Sequence, residues 1–491
     1  PVHLQPRSSG SRPELFPPNA TIVMRAVTPL VPLAGLALLG TSASAQVSEV
    51  LLVETTHDQL VRLVDLDADN QYHSLGEQTT FFSVDGGTGT NASSPRNAQM
   101  TVEGGQPVVY WVDTTLDQLL RAEDVNGNGT IDLGEETAWR DIQNLDGSTS
   151  PDALDIFPDG SVWWVGDYST ANGVWRCEDV NMDGDANDAG EAVNYIDGDQ
   201  QILVEHDSGS GLAPATNGDE HLFVQVCPGG GNAAIVWSNA NSSGEGSEAA
   251  FRVEDLNGDG DVLDSGEVRL FLNPGQWNPN LPQNADWASG VLRTLEFSNT
   301  TTTPATPDWA WLSHWVHTTE GGSDVWYFAT GASNASIAAF NINGDGNFGL
   351  IYRGEDLNLD GDIQDAGEVV LWYDGSNTTV ATAFGKIIGF DMGSDGLYVC
   401  DLFANVPAVH RMRDVNMDGD ANDVGEQDIA LFDYTNFSSG TEPPFTIGSP
   451  FTYDIAVLDA GLWNPPPTPG FTTSGTGCSG FRPVPAIGAL G

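Results

Sequence analysis

The stretch Asp255–Glu267, DLNGDGDVLDSGE, decides the fold because the chain carries six versions of it. The other versions begin at Asp65, Asp124, Asp179, Asp356 and Asp414. Each has acidic or amide side chains at loop positions 1, 3 and 5, usually Gly at position 6, and always Glu at the end. Calcium takes six to eight oxygen ligands, and alternate residues of a tight loop can supply them around one point. The repeat therefore predicts about six calcium sites.

The second copy matches the twelve-residue spacing of such a loop, with Glu135 at position 12. In the third to sixth copies the spacing grows by one residue, which places Glu191, Glu267, Glu368 and Glu426 at position 13. These are expected to close the sites, in competition with the nearby Asp188, Asp264, Asp365 and Asp423. The first copy has Asn70 in place of the usual Gly, and Asn tolerates left-handed geometry. The predicted metal-ligating residues are Asp65, Asp67, Asp69, Glu77, Asp124, Asn126, Asn128, Thr130, Glu135, Asp179, Asn181, Asp183, Asp185, Glu191, Asp255, Asn257, Asp259, Asp261, Glu267, Asp356, Asn358, Asp360, Asp362, Glu368, Asp414, Asn416, Asp418, Asp420 and Glu426.

A plainer interpretation is that these loops are polar turns, since Asp, Asn and Gly are common turn residues. Six copies in register favour metal instead, because so many clustered carboxylates would repel one another without a cation. An Arg precedes each loop by a few residues, as in Arg62 and Arg121. Such an Arg could pair with loop carboxylates from outside the metal shell, or could be an ordinary outward strand residue.

The segments between the loops have the pattern of short strands. Within residues 150–198 there are four apolar runs, separated by two turns and the loop: Leu154–Phe157, Val162–Asp167, Gly173–Asp179 and Ala192–Ile196. No helical periodicity interrupts them. Four antiparallel strands in each repeated unit predict an all-β fold, a six-bladed β-propeller with the calcium loop between the third and fourth strands of each blade.

Two units are longer than the others. Between Glu267 and Asp356 we expect extra strands, such as Val291–Phe297 and Asp308–His317, and residues 208–248 contain Gly/Asn/Ser-rich excursions. NINGDG at 341–346 resembles part of a loop and leaves a seven-bladed ring as the alternative. Insertions in repeat proteins often fall on one face and carry function.

The two ends of the repeat region complement each other. The first unit begins with what looks like a second strand, Glu49–Glu54, and the last ends with what looks like a first strand, Tyr453–Leu458. We expect these to pair in one blade, because closing the ring removes open sheet edges. The predicted domains are residues 1–45, an upstream segment plus a secretory signal peptide cleaved near Ala45, then the propeller at 46–463, and a Pro/Gly/Ser/Thr-rich tail at 464–491.

Charge and targeting limit the partners. Lys and Arg total 16 against 69 Asp and Glu, a formal charge of -53, which excludes nucleic acid as a natural partner and favours cations. The apolar run in the leader is too short for a confident membrane span, and no later segment is apolar enough. The expected product is secreted, extracellular or attached to the cell surface. The four cysteines leave two interpretations: one pair joined in a disulfide that spacing alone does not identify, or, as favoured, three small buried strand residues with Cys478 as a tail thiol.

The strand pairs before the loops resemble a known family. The runs VYWVDTTLDQLLRAED (109–124), VWWVGDYSTANGVWRCED (162–179) and LYVCDLFANVPAVHRMRD (397–414) resemble the second-to-third strand hairpins of six-bladed YWTD- and NHL-type propellers of the TolB-like group. The loops are similar to EF-hand, dockerin and thrombospondin calcium loops, although here they join strands. The resemblance implies a binding scaffold, since most members are scaffolds and some are lactonases or hydrolases.

No motif decides between these activities. His314 and His317, with Asp308, Trp309, Trp311 and Trp315, are candidates for an aromatic pocket, but residues three apart point to opposite faces of a strand, which favours blade packing. His206 and His221 lie in the other long unit. No Gly-x-Ser-x-Gly elbow, zinc-ligand spacing or phosphate loop occurs. Two hypotheses remain: a binding or scaffold module with structural calcium and a protein or carbohydrate ligand, and a secreted hydrolase or lactonase with its site at the channel mouth.

Overall fold

The described part of the chain forms six β-sheets, which are antiparallel except for one short parallel pair in the fourth. The computed structural model describes residues 48–54, 58–74, 76–83, 95–132, 134–145, 151–157, 159–166, 173–197, 203–205, 212–214, 219–226, 233–240, 249–262, 264, 266–272, 311–331, 350–363, 367–374, 387–401, 408–433 and 452–458. All of these belong to one compact unit of the chain, Ser44–Gly491.

The first three blades follow one another along the chain. Blade 1 contains β1 (Glu49–Glu54), β2 (Gln59–Leu63) and β3 (Gln78–Ser83). Blade 2 contains β4 (Pro95–Glu103), β5 (Gln106–Asp113), β6 (Gln118–Glu123) and β7 (Glu136–Asp141), and is followed by the one-turn helix α1 (Ile142–Leu145). Blade 3 contains β8 (Pro151–Ile156), β9 (Val162–Gly166), β10 (Gly173–Cys177) and β11 (Ala192–Asp197).

The remaining blades repeat the pattern, with one addition. A short hairpin of β12 (Leu203–Glu205) and β13 (Leu212–Pro214) precedes blade 4, which contains β14 (Asp219–Val226), β15 (Ala233–Ala240), β16 (Ala249–Glu254) and β17 (Val268–Leu272). Blade 5 contains β18 (Trp311–Glu320), β19 (Ser323–Gly331), β20 (Leu350–Glu355) and β21 (Val369–Asp374). Blade 6 contains β22 (Ile387–Gly393), β23 (Gly396–Asp401), β24 (Ala408–Met412) and β25 (Gln427–Asp433), and the last strand is β26 (Thr452–Leu458).

The predicted closure of the ring is confirmed. β26 pairs antiparallel with β1, from Glu49 opposite Leu458 to Glu54 opposite Thr452, and becomes the first strand of blade 1. The innermost strands of successive blades then lie against one another in a complete circle, β26–β4–β8–β14–β18–β22 and back to β26. The all-β, six-bladed architecture is therefore as the sequence predicted.

The core lies between the blades, which explains the apolar runs. In β1, Leu51 and Val53 pack in a cluster with blade 2, whereas Val50 and Leu52 pack in a cluster with blade 6. Successive side chains of a strand point to opposite faces, so a strand with both faces covered is apolar throughout. Aromatic side chains fill much of this space, and Trp111, Trp163, Trp164, Trp315 and Trp326 are fully buried.

The long units are more regular than the sequence suggested. The predicted extra strand at Asp308–His317 is wrong in its role, because β18 is the ordinary first strand of blade 5. The error arose because nothing in one strand distinguishes an insertion from a displaced blade strand. Within 208–248, β14 and β15 are ordinary blade strands, and the β12–β13 hairpin extends the outer edge of blade 4. Val291–Phe297 and NINGDG at 341–346 lie outside the described residues.

Two further expectations concern the cysteines and membrane-spanning segments. Cys177 and Cys400 are buried on β10 and β23, as expected, whereas Cys227 and Cys478 lie outside the described residues. Within the described ranges, no helix is both long and apolar enough to cross a membrane.

Removing β26 should prevent folding, because β1 would lose its partner and the circle of innermost strands would open. A chain truncated after residue 451 is expected to aggregate or to lose cooperative thermal unfolding, measured by circular dichroism and size-exclusion chromatography. Truncation after residue 463 is the matched control and should keep the native melting temperature. A folded, monomeric protein lacking β26 would contradict this account of closure.

Candidate metal sites

All six predicted loops lie at one end of the blades. Each joins the third strand of its blade to the fourth, as Asp124–Glu135 joins β6 to β7 and Asp414–Glu426 joins β24 to β25. Strand direction alternates within an antiparallel blade, so the third-to-fourth connections all emerge on the same side of the ring. We call this side the loop face.

The loops share one backbone conformation. Position 6 has positive φ in every copy, including Asn70 at 64° where the others have Gly, so the first loop keeps the shared conformation. The Gly immediately before each closing Glu also has positive φ, between 91° and 98°. A Gly–Glu pair ends all six copies in the sequence, and left-handed geometry explains the Gly because it has no Cβ to clash.

Each closing Glu folds back over the start of its loop. In the sixth loop one carboxylate oxygen of Glu426 accepts the backbone N–H of Val415 at 3.0 Å, and the other accepts that of Asp423 at 2.9 Å. Glu191 and Glu267 make the corresponding pair of bonds. These glutamates are buried, and burial raises the pKa of Glu77 in the first loop. Glu135 of the second loop is more exposed than the others.

Oxygen atoms converge inside the loops. One ligand atom each from Asp65, Asp67, Asp69 and Glu77 lies within 4.8 Å of the others, and the same holds for Asp414, Asp418 and Glu426. The first Asp of each loop also accepts backbone N–H groups, as Asp179 does from Asp183 at 3.1 Å and from Gly184 at 2.9 Å. A set of carboxylate oxygens without nitrogen or sulfur fits a hard cation such as calcium.

The Asn at position 3 connects the rest of the loop. The Nδ2 group of Asn181 donates to Asp188 at 2.6 Å and to Asp183 at 3.2 Å. Asn416 donates in the same way to Asp423 and Asp418. The expected competitors Asp188, Asp264 and Asp423 thus accept from the amide, while the closing glutamates accept backbone N–H groups of the loop. Asp365 lies outside the described residues.

The sequence did not reveal that every loop is bonded to the preceding blade. The residue at position 8 donates its backbone N–H to a carbonyl oxygen of that blade's outermost strand, at 2.7 to 3.2 Å. The six pairs are Tyr72 with Leu431, Ile131 with Phe81, Ala186 with Trp139, Val262 with Tyr195, Ile363 with Phe271 and Ala421 with Trp372. All six position-8 side chains are buried between the blades. The signal for this was present, because position 8 is apolar or aromatic in every copy.

The Arg residues before the loops pair with acids outside their own loops. Arg353 contacts Glu320 and Glu355, both at 2.9 Å, and Arg121 contacts Glu103 at 2.6 Å. Arg252 and Arg411 are buried, so neither is an ordinary outward residue. The partners Glu103 and Glu320 lie at the ends of the first strands of their blades. The sequence alone offers no reason to pair them with these arginines.

The side chains of Arg62 and Tyr195 each lie against the loop of the next blade. Gly129 of the second loop lies close to the guanidinium of Arg62 in blade 1. Burial lowers the pKa of Arg62, against smaller raising by Glu49 and then by Asp124 of the second loop. At the junction of blades 3 and 4, the Asp255 backbone N–H donates to the Tyr195 hydroxyl at 3.0 Å. The supporting contacts therefore come from the neighbouring blade.

A second polar cluster lies on the innermost strands. Asp391 of blade 6 accepts the Val457 N–H at 2.7 Å, and Asn97 of blade 2 accepts the Leu154 N–H at 2.8 Å. Asp454 of blade 1 accepts from the Asn97 amide and from the Ala98 backbone. At three successive junctions a polar side chain thus bonds to the next innermost strand.

Burial dominates the electrostatics of this cluster. It raises the pKa of Asp454 well above its ordinary value of 3.8, and the Asp391 charge raises it further, against smaller lowering by the hydrogen bonds. The sequence did not identify Asp454 or Asn97, because the contact joins residues 357 positions apart.

The residues considered for an aromatic pocket take part in blade packing where the structure describes them, the interpretation that the sequence favoured. Trp315 is buried and stacks on Phe328 with ring centroids 4.5 Å apart. His317 Nε2 lies 3.0 Å from Asp324 Oδ1, with both side chains buried. His314 lies on β18 and His221 on β14, while Asp308, Trp309 and His206 lie outside the described residues.

Comparisons with known proteins assign no family. No family model and no curated protein matches the chain. Solved structures that match include a catalytically inactive virginiamycin B lyase from Staphylococcus aureus with quinupristin, at 11% identity and TM-score 0.35 over 80% of this chain and 94% of that one. The calcium-binding protein regucalcin from Agrobacterium tumefaciens matches at 11% identity and TM-score 0.32, over 66% and 72%.

A chain of a nidogen/laminin complex matches at 12% identity and TM-score 0.37, over 84% of this chain and 98% of that one. At these scores the likenesses carry no argument about activity or ligand. The six-bladed arrangement is established by the strand pairing of the chain itself.

Replacing Asp454 by Asn should change how stability depends on pH. The raised folded-state pKa means that the wild-type stabilisation is complete below about pH 3.8 and is lost as pH rises through the folded pKa. The variant cannot ionise, so its free energy of unfolding relative to wild type should increase with pH, by at most about 1.4 kcal/mol per unit.

Urea unfolding from pH 4 to 8 at constant calcium would measure this difference. Asp113→Asn is the matched control for loss of a buried carboxylate, because Asp113 accepts the Thr115 and Leu116 N–H groups within blade 2 and not across a blade junction. A variant that parallels wild type at every pH would contradict the assignment.

Proposed function

We propose that this chain is a secreted, calcium-stabilised β-propeller of the YWTD/NHL type that serves as a binding or scaffold module. The observation that carries the proposal is the hydrogen bond from the backbone N–H at loop position 8 to a carbonyl oxygen of the preceding blade, because it couples each loop to that blade. A cation that orders a loop would therefore also stiffen a junction of the ring. Calcium in this proposal is a structural element.

The residues that would hold calcium are those of positions 1, 3, 5 and the closing Glu, with the position-7 carbonyl. Burial raises the pKa of Glu77 and of Asp356, because a carboxylate removed from water lacks the solvation of its charge. Bound calcium would supply the compensating positive charge. The second loop has Asn128 in place of the position-5 aspartate of the other five loops, and its Glu135 is more exposed, so it is the weakest candidate.

The free energy that calcium binding would add to the stability of the fold is large. Extracellular calcium modules have dissociation constants on the order of 10⁻⁴–10⁻³ M. At about tenfold excess calcium each site contributes roughly 1.4 kcal/mol, and six sites approach about 8 kcal/mol. That is comparable with the whole stability of an ordinary domain.

The binding role follows from what calcium would do here. A pair of helices can open on binding metal, but a loop that joins two strands mostly becomes stiffer. The proposed module presents one rigid face to a protein or carbohydrate ligand. Export after cleavage near Ala45, to the medium or the cell surface, belongs to the same proposal.

A hydrolase or lactonase is the second candidate, and the buried Asp454–Asn97 contact favours it. A carboxyl group with a raised pKa beside an amide can act as a general acid. However, the side-chain oxygens of Asn97, Asp391 and Asp454 accept hydrogen bonds from the next innermost strand. Joining the strands accounts for these residues without a reaction, so the binding module is supported better.

Chelation should lower the stability of the whole ring. With EDTA in place of excess calcium, the melting temperature is expected to fall by roughly 10 °C, because about 8 kcal/mol of linked binding energy is lost. Differential scanning calorimetry at several calcium concentrations would measure the shift. Magnesium at equal ionic strength is the control, and an unchanged melting temperature in EDTA would rule out structural calcium.

Glu426→Gln should weaken one site selectively. The substitution keeps the shape but removes the closing carboxylate, so we expect about tenfold weaker calcium binding at one site. At the same calcium concentration this corresponds to a loss of about 1 kcal/mol of calcium-dependent stability. Isothermal titration calorimetry and calcium-dependent melting would report both.

Asp420→Asn is the matched control, since it removes the same charge from position 7 of the same loop, where the backbone carbonyl is the expected ligand. Equal effects of the two substitutions would mean that net charge, and not coordination, governs binding.

A further inference from the structure

The loop face carries most of the exposed apolar side chains. Of the twelve large apolar residues that are exposed in the described ranges, ten lie in the six loops. Position 2 is exposed and aliphatic in every copy: Leu66, Val125, Val180, Leu256, Leu357 and Val415. A folded surface seldom collects its apolar residues on one side without a partner.

The loop conformation explains why position 2 points outward. In five loops its backbone N–H donates to the closing Glu, at 3.0 Å for both Leu357 and Val415. In the second loop Asn126, at position 3, donates to Glu135 at 3.2 Å. With the N–H directed into the loop, the side chain is left in solvent. A polar residue would meet the same backbone requirement, so the fold does not account for an aliphatic residue at six of six positions.

Position 4 strengthens the case. Met182, Leu359 and Met417 have φ between 61° and 65°, a left-handed conformation that is unfavourable for large side chains. The second and fourth loops have Gly127 and Gly258 at this position, so the loop does not need a side chain there. Met417 is nevertheless 88% exposed, and contributes nothing to the core. Strain without packing indicates a role outside the folded chain.

The charge around these residues selects the partner. The six loops contain 27 acidic residues, and six divalent cations would neutralise only twelve of those charges. The arginines nearest the fifth and sixth loops, Arg353, Arg411 and Arg413, already pair with acids. The loop face therefore combines aliphatic side chains with excess negative charge.

We propose that the neighbouring fifth and sixth loops form a docking surface for a cationic amphipathic segment of a partner protein. Its apolar contacts are Leu357, Leu359, Val415, Met417 and Val424, the densest exposed set in the described loops. The inference rests on the proposed binding function and names the chemistry of the ligand.

Charge complementarity argues against the other occupants. A second copy of this chain brings another -53 charges, and an anionic bilayer is repelled in the same way. A segment with lysine or arginine on one side and aliphatic residues on the other satisfies both features of the surface.

The test uses a synthetic peptide of alternating lysine and leucine, with a glutamate-for-lysine counterpart. The double variant Leu359→Asn/Met417→Asn removes two apolar contacts, and Asn tolerates left-handed geometry, so its melting temperature should not fall. The control is Leu145→Gln/Val193→Thr, which changes two exposed apolar residues outside the loops. Fluorescence anisotropy measures peptide binding in calcium and in EDTA, and sedimentation measures self-association.

We expect the cationic peptide to bind wild type and the control equally and the loop variant roughly tenfold more weakly, with no binding of the acidic peptide. Equal affinity for the loop variant and the control would overturn the proposal, because charge alone would then explain binding. Calcium-dependent dimers lost in the loop variant, or binding of wild type to anionic vesicles, would also overturn it.

The two proposals fail separately. An unchanged melting temperature in EDTA refutes structural calcium whatever the peptide does, whereas equal peptide affinities refute only the docking surface.

Discussion

The ring depends on a backbone hydrogen bond that a sheet cannot provide for itself. In blade 4 the β12–β13 hairpin pairs with the fourth strand, whereas in the other five described blades the fourth strand is an edge of its sheet. The carbonyl groups of an edge strand need donors. Position 8 of the next loop supplies one, as Ala421 does for Trp372, and its buried side chain fills the space between the two blades. One short loop thus satisfies part of an edge and joins two blades. Its repetition at all six junctions makes the loops part of the ring.

The innermost strands use a different device for the same purpose. Neighbouring innermost strands belong to different sheets, so they lack a common ladder of hydrogen bonds. Asp391, Asp454 and Asn97 instead accept backbone N–H groups of the next blade. The contact at the outer strands combines a backbone hydrogen bond with a buried apolar side chain. The contact at the innermost strands requires the desolvation of a carboxyl group, which costs free energy. The raised pKa of Asp454 is the electrostatic sign of that cost.

Features with a local pattern could be predicted from the sequence, and features made by distant residues could not. Four strands per unit, the placement of the loop and the pairing of β26 with β1 followed from apolar runs, turns and the need to close a sheet. The acid partners of the arginines were missed, since Glu320 and Arg353 are far apart in the chain. Nothing in the sequence distinguished Asp454 from the other acidic residues, and only the fold places it beside Asn97. The side chains of His317 and Trp315 are buried, which distinguishes them from residues that line a binding pocket. The spacing of residues in the sequence does not reveal burial.

The loops have two sides with opposite chemistry, and this separates stability from recognition. Position 8 is buried and position 2 is exposed in the same short segment, so one sequence repeat specifies both the junction of the ring and the outer surface. The closing Glu links them, because it accepts the position-2 N–H that turns the aliphatic side chain outward. Whatever orders the closing Glu therefore also fixes the direction of the exposed side chain. In the proposed calcium-loaded protein, the cation would hold the surface in one conformation before a ligand arrives, which reduces the entropy cost of binding. Structural calcium and a recognition role for the loop face are consequently compatible, because rigidity is what each of them requires.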